Sequence, residues 1–107
     1  MKKPILLIVA LLASALNAAY GAGDPAAGKL KASTCLGCHG VPSYFNVYPS
    51  YHVPKLGGQH GEYIVAALKE YKTEQRKHST MHAQASTLSD QDMEDIAAFF
   101  STYKPVP

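Results

Sequence analysis

The stretch "STCLGCHG", Ser33 to Gly40, holds both cysteines of the chain, with His39 directly after Cys38. Two cysteines at this spacing suit three chemistries: a redox-active disulfide, half of a zinc site, or anchors for a haem. As a mere staple the pair does little. A Cys35–Cys38 bridge closes a trivially short loop, and cross-link stabilisation grows with the number of residues enclosed.

A zinc site would take Cys35, Cys38 and His39, with a fourth ligand from His52, His60, His78 or His82. Structural zinc usually joins one close ligand pair to a second. The chain has no second cysteine pair, and adjacent Cys38 and His39 reach one ion poorly. A thiol–disulfide exchange centre sets its C-x-x-C at a helix N-terminus after a strand, within a βαβ pattern. Here a helical pattern precedes the pair, and no segment alternates convincingly as a strand. The haem reading accounts for the order of residues. In C-x-x-C-H the thiols add to the two vinyl groups on one porphyrin edge, and the following imidazole comes beneath the plane to bind iron.

The ends of the chain agree with export. Lys2 and Lys3, an apolar run from Ile5 to Leu16 and the tail "NAAYGAGD" describe a secretory signal peptide. The run falls short of the roughly 20 residues a membrane helix needs, and no cysteine lies nearby to carry a lipid. A cut after Ala19-Tyr20-Gly21 divides the chain into a leader, 1–21, and one domain, 22–107; Ala13-Ser14-Ala15 offers a second small-x-small site. Of the ten Lys and Arg residues, two lie in that leader, and the other eight balance eight Asp and Glu. Composition therefore gives no support to nucleic-acid binding. A domain this small buries a modest core and commonly leans on a metal or cofactor.

Three helices are expected. Asp24 as N-cap and Pro25 at the first helical position start one that runs to about Ala32 and leads into the cysteine segment. Ile64, Ala67, Leu68 and Tyr71 keep i, i+3, i+4, i+7 spacing in a second, about Gly61 to Thr73. Ser89, with Asp92 three residues on and a Leu88/Met93 staple, opens a third. Met93, Ile96, Ala97 and Phe100 form its stripe, and Pro105 ends it. Gly40 to His60 reads as irregular backbone wrapped around something.

Haem held by one histidine leaves a sixth position to fill. Met93 already has a place in the third helix's stripe. Met81 stands in a polar, irregular stretch with no periodic face to join, so it is the stronger candidate; His52, His60, His78 and His82 remain chemically possible. Methionine opposite histidine raises the potential of the iron.

With "GDPAAGKLKAS" before "CLGCHG", "VPKLGGQHGEYIVAALKEYKTEQR" and "LSDQDMEDIAAFFSTY", the sequence resembles the class I c-type cytochromes, small soluble single-haem proteins of bacterial respiratory chains. The likeness runs from about Gly23 to Tyr103. It implies an all-α cytochrome c fold: three main helices and irregular loops around one covalent haem c. It implies thioethers at Cys35 and Cys38, axial ligands His39 and Met81, and the Pro54 carbonyl bonded to the outer nitrogen of His39. Gly28 would let the last helix approach, with Phe99 or Phe100 against it, and Arg76 would approach a propionate. The segment Val41 to His52, rich in tyrosine and proline, departs from the family pattern.

The expected function is that of a periplasmic, monomeric one-electron carrier, not an enzyme. Its partners would be larger redox proteins such as membrane oxidoreductases or terminal oxidases, with no nucleic acid and no small-molecule substrate. The alternatives are a gas- or peroxide-binding haem protein with a labile sixth ligand, and an electron-entry subunit of an exported oxidoreductase complex.

Overall fold

The computed structural model describes residues 23–105. The expected leader, 1–21, and its cleavage sites lie outside the described residues. The elements are α1 (Pro25–Lys31), α2 (Ser33–His39), β1 (Phe45–Val47), β2 (Ser50–His52), α3 (Gly61–Lys72), α4 (Ser79–Ala85) and α5 (Asp90–Thr102). None of these helices is long and apolar enough to cross a membrane.

Local chemistry sets both ends of the helical frame. The Asp24 side chain accepts the Ala26 N–H at 2.9 Å, and Pro25 needs no partner at the first position of α1. At α5, Ser89 Oγ accepts from the Asp92 N–H while Asp92 accepts from the Ser89 N–H, a complete capping box. Met93, fully buried beside half-buried Leu88, supplies the staple.

α1 and α5 cross at Gly28. A Cβ there would overlap the Asp95 carbonyl and crowd Phe99, so only glycine permits this approach. Of the two phenylalanines expected at the crossing, Phe99 makes the contact. Asp95, itself buried, sits over the same place. It accepts from the Asp24 backbone N–H at 2.8 Å, from Lys31 Nζ at 2.6 Å and from Gln91 at 2.9 Å, tying both ends of α1 to one carboxylate. Lys31 also pairs with Asp92 at 2.9 Å. Lys31 above all, then the Asp24 N–H and Gln91, pulls the Asp95 carboxyl down to about 2. Asp92, bonded to Lys31 and then Ser89, is likewise pulled down to about 2.

Three features go beyond the sequence reading. The chain turns at Ala32 and continues as helix, because the Leu36 N–H bonds to the Ala32 carbonyl and the Gly40 N–H to that of Leu36. The cysteine segment is therefore itself helical. Second, the stretch read as wholly irregular contains an antiparallel hairpin, pairing Phe45 with His52, Asn46 with Tyr51 and Val47 with Ser50. Its turn, Tyr48–Pro49, is closed by Asn46 Nδ2 donating to the Pro49 carbonyl. Third, the polar stretch around Met81 forms α4, capped by a histidine: His78 Nδ1 accepts the Met81 N–H at 3.3 Å.

The loop from 53 to 60 is fastened to the far end of α5. Gly58, at φ +82°, donates its N–H to the Phe100 carbonyl at 2.9 Å, while Gly57 lies tight against the Tyr103 carbonyl. That attachment brings Pro54 in front of α2.

Candidate functional site

A cavity of about 370 Å³ opens between α2, α3, α4 and the hairpin. Its volume falls within the range of sites that bury small ligands. Ile64, Ala67, Leu68 and Tyr71, the stripe expected from spacing, line it from α3, and Leu56 adds to them from the loop. Periodicity identified an apolar face; the structure shares that face between the hollow and the core, where Ile64 and Leu68 are themselves buried. Val65, on the same helix, is buried in the core and does not line the hollow.

Cys35, Cys38 and His39 line the cavity from α2. Both thiols are free, Cys35 half-buried and Cys38 exposed. Burial pushes the Cys35 thiol up from its ordinary value, which keeps it protonated and disfavours thiolate exchange chemistry. Among the described residues, no three His, Cys, Asp or Glu side chains gather as a metal site.

His39 has a defined tautomer. Its Nδ1 lies 2.7 Å from the Pro54 carbonyl. A carbonyl only accepts, so Nδ1 carries the proton and Nε2 keeps a lone pair for a metal.

The candidates for the opposite ligand separate on their hydrogen bonds. Met81 is half-buried and lines the cavity, whereas Met93 is fully buried in the core of α5, away from the lining. His82 gives its Nδ1 proton to the Tyr71 carbonyl at 2.9 Å and does not line the cavity. His78 lines it, but accepting the Met81 N–H at Nδ1 puts its own proton on Nε2 and leaves neither nitrogen a spare lone pair. His60 is exposed at the start of α3, and His52 lies at the rim, edge-on to Phe45 at 4.7 Å. Two thiols, an imidazole nitrogen with a free lone pair and a thioether surround one largely apolar hollow. That donor set suits a porphyrin tethered at one edge and ligated on both faces.

Arg76 also reaches the cavity. Its guanidinium lies 5.8 Å and 5.4 Å from the ring centres of Tyr63 and Tyr71, donates to the Tyr63 hydroxyl and pairs with Glu70 at 3.4 Å. Tyr51 and Thr80, which spacing did not single out, line the cavity as well. The one cue to Tyr51 was the unusual tyrosine content of its segment.

Comparison with known proteins points the same way. The family model described as "Cytochrome c" matches residues 25–104. Cytochrome c4 of Thiocapsa roseopersicina is 43% identical over 91 residues, spanning 84% of this chain and 45% of that protein. Cytochrome c-554(548) of Halomonas halodenitrificans is 42% identical over 84 residues, 76% of this chain and 98% of that one. Among solved structures, reduced recombinant cytochrome c4 from Pseudomonas stutzeri superposes with a TM-score of 0.58 at 25% identity, covering 78% of this chain and 52% of its own. The chain thus spans about half the length of the cytochrome c4 relatives and nearly all of cytochrome c-554(548).

Proposed function

The chain belongs to the cytochrome c family, and on that premise we propose that it is an exported carrier of single electrons whose haem iron is held between His39 and Met81. The family's cofactor is haem c, bound covalently, and it supplies the ferric–ferrous couple. Cys35 and Cys38 would hold it through thioethers. The observation that carries the reading is His39, its Nδ1 proton committed to Pro54 and its Nε2 free, on one cavity with both thiols and Met81.

Each remaining role belongs to the chain's own residues. The Pro54 carbonyl fixes the imidazole's rotation and raises its basicity. Met81 supplies the soft ligand that favours ferrous iron. Leu56, Ile64 and Leu68 exclude water, so little solvent reorganises when charge changes. Arg76, steadied by Tyr63, offers a cation to a propionate.

In this reading residues 1–21 direct export and are removed, and residues 22–107 act in the periplasm as a monomer. The partners are larger redox proteins, met through small, short-lived interfaces. The balanced charge of the exported part gives little long-range steering.

The test is spectroscopic. Protein matured in a host that attaches haem c should show, when oxidised, a weak band at the red end of the visible spectrum that reports iron–thioether ligation. Met81→Ala should abolish that band and lower the midpoint potential. Rapid carbon monoxide binding by the unaltered ferrous protein would overturn the carrier reading in favour of gas or peroxide chemistry.

A further inference from the structure

The hairpin is the segment that the family likeness leaves unexplained, and its contacts are specific. Strand residues alternate between two faces. On β1 and β2 the middle residues, Asn46 and Tyr51, are half-buried, while Phe45, Val47, Ser50 and His52 are exposed. Asn46 is spent on closing the turn. Tyr51 reaches out of the hairpin: its hydroxyl lies 3.1 Å from Thr80 Oγ1, and its ring meets that of His78 edge-on at 4.6 Å.

Both residues it touches adjoin the cavity-lining methionine. Thr80 precedes Met81 in the first turn of α4, and His78 caps that turn by accepting the Met81 N–H. α4 has seven residues, too few to hold its shape alone, since isolated helices need roughly 12–15. Ala85 is buried in the core and His82 bonds to the Tyr71 carbonyl, while in the first turn Met81 packs partly buried against the core and the His78 ring also meets that of Tyr71 at 6.2 Å. The first turn, where Met81 sits, meets the hairpin at Tyr51.

We propose that the 45–52 hairpin is a brace for the methionine-bearing turn of α4, with Tyr51 as the positioning residue that holds it through Thr80 and His78. The proposal rests on the reading of Met81 as distal ligand. Tyr51 touches no ligand atom in this role. It shifts the balance between a closed state, with Met81 aimed into the cavity, and an open one in which the turn has moved away. An added ligand that needs the open state binds with an affinity proportional to that state's population.

Imidazole titrated into the ferric holoprotein reads that population. Tyr51→Phe keeps the ring on His78 and removes only the hydroxyl. It should raise imidazole affinity about fivefold, the population change one ordinary net hydrogen bond produces, and should weaken the red-edge band on warming at a lower temperature. Thr80→Val should do the same, Thr80→Ser should restore wild-type behaviour, and Tyr51→Phe combined with Thr80→Val should go no further than either alone, as expected for partners in one bond. Affinities unchanged in both single variants, or effects that simply add in the pair, would overturn the brace. A wild-type protein without the red-edge band, or with a band that Met81→Ala leaves untouched, would instead defeat the ligand assignment beneath it.

Discussion

The side of the molecule where α1 crosses α5 and the side that surrounds the cavity are held together by different means. At the crossing, protein meets protein: Gly28 admits the Asp95 carbonyl, and Met93, Ile96 and Phe100 are buried. The carboxylate that the crossing buries is paired, Asp95 accepting from three donors. Around the cavity the order is reversed. Leu56, Tyr71 and Met81 are only partly buried, and the apolar stripe of α3 is shared between the core and a hollow. Single hydrogen bonds connect its walls: His39 to Pro54, Tyr51 to Thr80 and His82 to Tyr71. One side is closed on itself, while the other lines the space that a haem would fill.

The widest break in that comparison comes from removing the tether. Replacing Cys35 and Cys38 together by alanine should prevent covalent attachment and collapse the cavity side. Hydrogen exchange should then show α4 and the 53–60 loop unprotected, with far-UV circular dichroism losing about half its helical signal or more, because small domains lacking their cofactor rarely bury enough surface to fold. Protection that persisted equally on both sides would show that the lining supports itself. Next in size is Gly28→Val, which drives a branched side chain into the α5 backbone. Overpacking of this kind costs about 1–3 kcal/mol; denaturant unfolding of the holoprotein should show it, with the absorption spectrum at neutral pH unchanged.

The smallest effect is confined to acid. Asp92 and Asp95 sit at about 2, below the ordinary 3.8. Their folded-state values are depressed, so their contribution is fully present above about pH 4 and is lost as pH falls toward 2. Melting temperature should therefore drop across that window, and Asp95→Asn should flatten the drop by giving up the same contribution at neutral pH. An identical acid limb in wild type and variant would remove Asp95 from the account.

The same division governs what could be read from sequence. The ends of α1 and α5 were legible because their signals are local: Asp24 and Pro25, then Ser89, Asp92 and the Leu88/Met93 staple. The C-x-x-C-H order pointed to the haem for a similar reason, since its chemistry lies within five neighbouring residues. The cavity side was harder. α4 has a polar sequence and a histidine cap rather than Ser, Thr or Asp, so neither periodicity nor capping announced it. The hairpin's strands have three residues each, too few to display alternation, and its fixing contact joins Tyr51 to a residue 29 positions away. Val65 shows the remaining gap: spacing found the stripe of α3 but not Val65, buried in the core beside Ile64 and Leu68.

The acceptor for the His39 proton is the main-chain oxygen of Pro54. No codon change at position 54 deletes it, because every amino acid carries the same carbonyl. A carboxylate in that place would be lost or swapped in a single step, and the electron richness of the imidazole with it. Here that property is inherited from where the backbone runs, so it drifts only when the 53–60 loop comes away from its anchor at Phe100.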